Sequence, residues 1–173
     1  MALAARNTQG RRPSSSAFGN GVISTQDVAQ LQSIAAKYAP PYIKIRYKRR
    51  KNGRLVLKPA HACIRREEIL TPRPVTPHAL SFFLHECGHF YLKHFRKDET
   101  DNPRLRKLYT GGETRTLAEQ EYSAERWALE TMKREGVPVP PEALAGAKLY
   151  VAECLEQDTI KKRSPRHVKR WIR

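Results

Sequence analysis

The chain has 173 residues, 39% apolar and 29% charged, with a formal net charge of +16. That length suits one domain with a real core, and the composition is globular rather than disordered. No apolar run is long enough to span a membrane, and the N-terminal stretch lacks the apolar segment of a secretory signal.

Residues 1–24 read as a flexible basic lead-in rich in Ser and Gly. In 25-TQDVAQLQSIAAKYA-39, Val28, Leu31, Ile34 and Ala35 recur at helical spacing, with Thr25 or Gln26 at the start and Pro40-Pro41 as the stop. In 42-YIKIRYKRR-50, Ile43, Ile45 and Tyr47 alternate with Lys44, Arg46 and Lys48, which predicts a half-buried strand with one cationic face. Asn52-Gly53 predicts a hairpin turn into 54-RLVLKPA-60, with Leu55 and Leu57 facing inward. A third short strand is expected at 61–64, then a proline-punctuated connection, 67-EEILTPRPVTP-77. Thr76-Pro77 reads as an N-cap with proline at the first helical position, opening a helix to about Lys97. The stretch 98-DETDNPRLRKLYTGGE-113 reads as a polar loop hinged at Gly111-Gly112. A second long helix is expected from Thr116 to Glu135, ended by Gly136 and Pro138, and a third from Pro141 to about Lys161. The last stretch, 163-RSPRHVKRWIR-173, reads as a basic tail forming one short helix.

The chemistry concentrates in 84-LHECGHFYLKH-94. On a helix, positions i and i+4 share a face, so His85 and His89 can both aim a ring nitrogen at one ion. Zn²⁺ accepts imidazole nitrogen at about 2.0–2.1 Å, within that reach. Glu86 lies about a third of a turn from His85 and can reach a water activated by the ion, which is the HExxH arrangement of two ligands and a base. Gly88 leaves room for a close neighbour. The rival reading is an ordinary core helix whose histidines bond to backbone, disfavoured by the cost of burying unpartnered polar groups.

A zinc hydrolase needs a third protein ligand and an open position. His94, Asp98, Glu113, Glu119, Glu121 and Glu125 are the candidates. His94, five residues after His89, falls about 140° round a continuing helix and points elsewhere. In 119-EQEYSAERWALETM-132, Glu121, Ala124, Glu125, Ala128 and Met132 share one face, and the alanines allow that face to lie close to the first helix. Glu121 is the expected ligand, with Glu125 and Glu119 as alternatives. Glu125, one turn on, could accept from the free N–H of a ligating histidine. The plainer reading of this face is a solvated charge cluster.

HECGH followed by 121-EYSAERWA-128 resembles the ImmA/IrrE type of HExxH zinc metallopeptidase, a minimal gluzincin-like group that pairs HExxH with a later Glu-x-x-Ala-(Asn/Asp)-x-Phe-Ala helix. Matched residue by residue, the resemblance makes His85, His89 and Glu121 ligands of a single Zn²⁺ and Glu86 the base. Ala124, Trp127 and Ala128 fill the small and aromatic positions, and Glu125 stands where Asn or Asp is usual. The resemblance covers about residues 40–135. It implies hydrolysis of a peptide bond in a protein substrate, with regulators of mobile elements or stress responses among the substrates of such proteins. The fold expected over 25–162 is α+β and zincin-like, a small antiparallel or mixed three-stranded sheet packed against the HExxH helix and a second ligand-bearing helix. Tyr109 and His94 are candidate donors to a developing oxyanion, and the sheet edge near His61–Ile64 is a candidate seat for an extended substrate.

Charge is unevenly spread. Residues 1–66 carry 14 Lys/Arg against one acid, residues 67–160 carry 12 against 16, and residues 161–173 carry seven against none. Basic ends attract nucleic acid or an acidic partner, which makes Lys48, Arg49, Arg50, Lys51, Lys169 and Arg170 candidate contacts, unless the hairpin tip and tail are merely solvated. A basic nucleic-acid-binding or accessory protein with a structural or vestigial zinc site is the alternative reading of the whole. Three cysteines, Cys63, Cys87 and Cys154, form no CxxC and no even framework, so a reducing, cytoplasmic setting is expected. Cys87 reads as a core filler.

Overall fold

A computed structural model describes residues 24–48, 50–51, 54–55, 60–112, 116–160 and 166–173. The lead-in, the Asn52-Gly53 turn, Arg49, Leu57 and Glu113 lie outside the described residues, as do the side chains of Arg50, Lys51 and Leu55.

Helix α1, Thr25–Tyr38, begins at the expected Thr25, with Ser24 as its cap. Ser24 Oγ accepts from Asp27 N at 3.1 Å, and the Asp27 carboxylate accepts from Ser24 N at 2.9 Å, a reciprocal box that satisfies two end donors. Leu31, Ile34 and Ala35 form its buried face.

The strands are β1 (Lys44–Tyr47), β2 (Arg50–Lys51), β3 (Arg54–Leu55), β4 (His61–Cys63) and β5 (Glu68–Thr71). Strands β2 and β3 form their own antiparallel ribbon, and the main sheet is mixed in the order β1-β5-β4. Its centre is β5, which runs parallel to β1 and antiparallel to β4. This corrects the reading of 67–77 as a mere connection: Ile69 and Thr71 are fully buried. Pairing on both edges overrides the prolines that follow. Tyr47 also departs from expectation, since it is exposed while Ile43, just before β1, is buried.

Helix α2, Pro77–Tyr91, opens as its sequence predicts, with Thr76 Oγ1 accepting from Ala79 N at 3.0 Å and proline at the first turn. It closes six residues before the expected Lys97. Lys93 takes φ +56°, Lys93 N donates to Phe90 O at 3.1 Å, and His94 N donates to His89 O at 3.0 Å. That pair of bonds around a left-handed residue is a Schellman closure, with lysine where glycine is usual. Gly112 backs onto it: a Cβ there would lie 2.6 Å from the Lys93 carbonyl oxygen.

The expected polar loop instead holds a 3₁₀ turn, Lys97–Glu99, and helix α3, Pro103–Tyr109, capped by Asn102 with proline at its first turn. Helices α4 (Leu117–Arg134), α5 (Pro141–Ile160) and α6 (Arg166–Ile172) fall close to their expected places. Thr116 and Glu119 cap α4 reciprocally.

Two apolar clusters hold these parts. The larger joins α1, the sheet, α2, α3 and the C-terminal half of α4 through residues such as Leu31, Ile69, Phe83, Phe90, Leu105 and Met132. The smaller joins α4, α5 and α6 through Ala118, Val151, Leu155 and Val168, with Tyr122 and Trp171 at its margin. Between them α2 and α4 meet at a seam so close that a Cβ on Gly88 would lie 3.2 Å from Ala124 Cα. Among the described residues, no helix is long and apolar enough to cross a membrane.

Candidate metal centre

Successive turns of α2 carry His85 and His89, and the small-residue seam brings Glu121 of α4 against both. His85 Nε2 lies 3.1 Å from His89 Nε2. Glu121 Oε2 lies 3.1 Å from His85 Nε2 and 3.5 Å from His89 Nε2. Ligands at about 2.0–2.1 Å in a tetrahedron stand about 3.3–3.4 Å apart, so these three separations bracket the edge such an ion requires. Glu121 Oε2 is also buried without a hydrogen bond, despite its closeness to the imidazoles. An orphaned acceptor of this kind is costly unless a cation completes it. The buried group His85, His89 and Glu121 could therefore hold a metal ion.

The local field agrees. Burial disfavours a charged imidazole at His85, yet Glu121 and Glu125 outweigh it and hold its pKa well above the usual value. Burial likewise works to raise the Glu121 carboxyl, but the two imidazoles hold it well below the carboxylate range. The His85 shift reports a surround of carboxylates, Glu121, Glu125 and Glu86, that favours positive charge, while the Glu121 shift reports its attraction to the imidazoles. Glu125 Oε1 lies 3.1 Å from His85 Nδ1, the partner position expected of it, though without the alignment of a full hydrogen bond.

Glu86 is buried and faces the same cleft, a space of about 260 Å³. Burial raises its pKa, with His85 and His89 acting against the rise and Glu121 adding to it. A carboxyl shifted upward is better suited to taking a proton and giving it back. Cys87 is buried among apolar groups, and burial, then the Glu86 charge, push its thiol well up, consistent with a core filler.

Other expected residues fall elsewhere. Tyr109 is no oxyanion donor: it is buried, its hydroxyl donates to Pro41 O at 2.8 Å, and burial raises its pKa to about 12. His94 does line the cleft, but its two nitrogens face His89 Nδ1 at 3.0 Å and Ser123 Oγ at 3.1 Å. It reaches there because α2 has closed before it, not because of helical phase. Glu119 caps α4. Asp98 pairs with Arg96 in the 3₁₀ turn. Lys48 is half-buried beyond β1, where desolvation lowers its pKa against the pull of the Glu86 charge. Lys169 and Arg170 are exposed on α6.

Three cleft residues have no counterpart in the sequence reading of the site chemistry. Tyr150 of α5 stands edge-on to His85, with ring centroids 6.2 Å apart. Burial, then the charges of Glu121 and other neighbours, raise its pKa, so its phenol stays a donor. His61 on β4 lines the opposite wall, and its Nε2 accepts from Arg66 at 3.1 Å. Gln120 completes the rim from α4. His61 does fall on the strand edge that the sequence marks as a seat for an extended substrate, though without a chemical role there. Nothing in the spacing of Tyr150 relates it to α2. No protein-family model matches the chain, and no match was found among curated proteins or solved structures.

Proposed function

We propose that the protein is a zinc-dependent peptidase that hydrolyses a peptide bond in a protein substrate. One observation carries the reading: two imidazoles and a carboxylate converge within tetrahedral-edge distances, with a buried acid directly beside them in an accessible cleft. The donor set of two nitrogens and one oxygen suits Zn²⁺, and one open position is what distinguishes a reactive zinc site from a structural one. A purely structural ion has no use for Glu86.

A zinc ion held by His85, His89 and Glu121 supplies Lewis acidity toward a water and a carbonyl oxygen. Glu86 takes a proton from the attacking water as its oxygen bonds to the carbonyl carbon. The same carboxyl returns that proton to the nitrogen as the C–N bond breaks, so base and acid are one group. Tyr150, a phenol held protonated in the cleft, is the donor for the charge that develops on the carbonyl oxygen. Strand β4 pairs with β5 on one side and contributes His61 and Ala62 to the cleft, which makes it the edge for an extended substrate.

The test is Glu86→Gln, which keeps shape and removes the base. With a library of quenched fluorogenic peptides as probe, cleavage is expected to fall by about 10²–10⁴-fold. Zinc content should stay that of the wild type. Cleavage that survives in zinc-loaded Glu86→Gln would overturn the peptidase reading.

A further inference from the structure

We infer that His94 and Ser123 form a neutral relay that fixes the ring of His89 in the one tautomer able to bind the metal. The inference rests on the zinc reading and deepens it by assigning positioning residues outside the ligand set.

The proton logic follows from the distances. For His89 to ligate through Nε2, the nitrogen that faces His85 and Glu121, its Nδ1 must carry the hydrogen. That Nδ1 lies 3.0 Å from His94 Nδ1, which must then be the acceptor. A neutral His94 accepting at Nδ1 carries its own hydrogen on Nε2, which lies 3.1 Å from Ser123 Oγ. Ser123 accepts there and donates its hydroxyl to the carbonyl oxygen of Glu119 at 2.8 Å, with that of Gln120 at 3.0 Å. Every donor in this sequence has an acceptor, and the direction is set at its far end by a backbone carbonyl that can only accept.

The relay exists because of how α2 ends. In a Schellman closure the residue after the left-handed position packs its side chain on the last turn, usually as an apolar contact. Here those two positions are His94 and His89, so the usual greasy touch is replaced by an imidazole pair. Lys93 at φ +56° is the strained residue that turns His94 back. Ser123 sits on α4 two residues past the ligand Glu121, so one helix supplies both a ligand and the anchor of the relay.

The two ligand rings are consequently oriented by different chemistry. His85 has a carboxylate, Glu125, at its outer nitrogen, and His89 has an uncharged chain. A second outer carboxylate would add another negative charge beside Glu121 and Glu86, and a more anionic surround makes a bound cation a weaker Lewis acid. The neutral relay orients His89 without that cost.

Zinc affinity, measured by competition with a chromophoric chelator, tests the assignment on the full chain. His94→Phe keeps a ring and removes both nitrogens, and it is expected to weaken zinc binding by about 10–100-fold. His94→Gln supplies an accepting oxygen and a donating amide in the same order, and it should recover most of that loss. Ser123→Ala, a small change that spares the packing, should weaken binding by about tenfold, the lower end of that range. Imidazole ¹⁵N–¹H correlation spectra of the zinc-loaded protein should show the hydrogen of His94 on Nε2 and that of His89 on Nδ1. Wild-type affinity in both His94→Phe and Ser123→Ala, or a His94 hydrogen on Nδ1, overturns the relay. If the wild type itself retains no zinc while Glu121→Ala behaves identically, the metal centre fails and takes the relay with it.

Discussion

Helix α4 meets two buried acids, and their surroundings are opposite. At its N-terminal end, Asp158 of α5 is buried and accepts a hydrogen bond from Ala118 N at 2.7 Å, satisfying a helix-end donor that has no partner within α4. One turn on, Glu121 is equally buried, yet Oε2 has no hydrogen bond and looks onto two imidazoles. The first acid is complete within the chain and holds α4 to α5. The second lies against His85 and His89 in a group that could hold a metal ion. Burial alone does not separate a structural acid from a ligand; what separates them is whether the acceptor's needs are met.

Breaking the second acid should have the largest effect. Glu121→Gln keeps the shape but loses the charge, and zinc content is expected to drop from about one ion per chain to near none. At free zinc one hundred times its dissociation constant, the wild type gains about 2.7 kcal/mol of stability by mass action. Denaturation with and without zinc should show that gain vanish in Glu121→Gln, while chelation should remove it from the wild type. Asp158→Ala is next. It strands a buried donor and should cost about 1–3 kcal/mol in urea unfolding, with zinc content unchanged. Asp158→Asn keeps an acceptor and should cost much less, since Asn and Asp cap about equally. The amide is thus expected to be tolerated at Asp158 and not at Glu121.

Gly88→Ala probes what the two regions share. Its new methyl would press on Ala124 Cα at 3.2 Å, costing about 1–2 kcal/mol and spreading the helices that carry the ligands. Zinc affinity and the stability of the zinc-free chain should therefore fall together, unlike either acid variant. The smallest effect is a gain: Lys93→Gly relieves a left-handed lysine and should add up to about 1 kcal/mol, with the His94 contacts retained.

The helices that carry His85, His89 and Glu121 were legible because their signals are local. Thr76-Pro77 marks the start of α2, Thr116 with Glu119 marks that of α4, and the i, i+4 spacing of His85 and His89 sets their shared face. Gly88, Ala124 and Ala128 announced the close seam. Strand β5 was hidden because its reason for being a strand lies in β1 and β4, its partners in space, rather than in 68-EILT-71. The end of α2 was hidden because no Gly, Asn or Pro marks it. It is set by contacts that His94 and Phe95 make with Ser123 and Phe90. Helix α3 did carry a readable signal, Asn102-Pro103 as cap and first turn, which was outweighed by the polar residues around it. Tyr109 was misplaced because a polar tip on an aromatic ring says nothing about which side of a helix faces a cleft.

The glycine–alanine seam has one further consequence. Backbone packed this closely cannot shuffle aside as long side chains do, so the spacing of the two helices has little room to change. An ion held across such a joint would meet a socket of set width, and a larger cation would have to part the backbone rather than swing a rotamer. Selection among divalent ions by radius would then lie with residues that touch no ion.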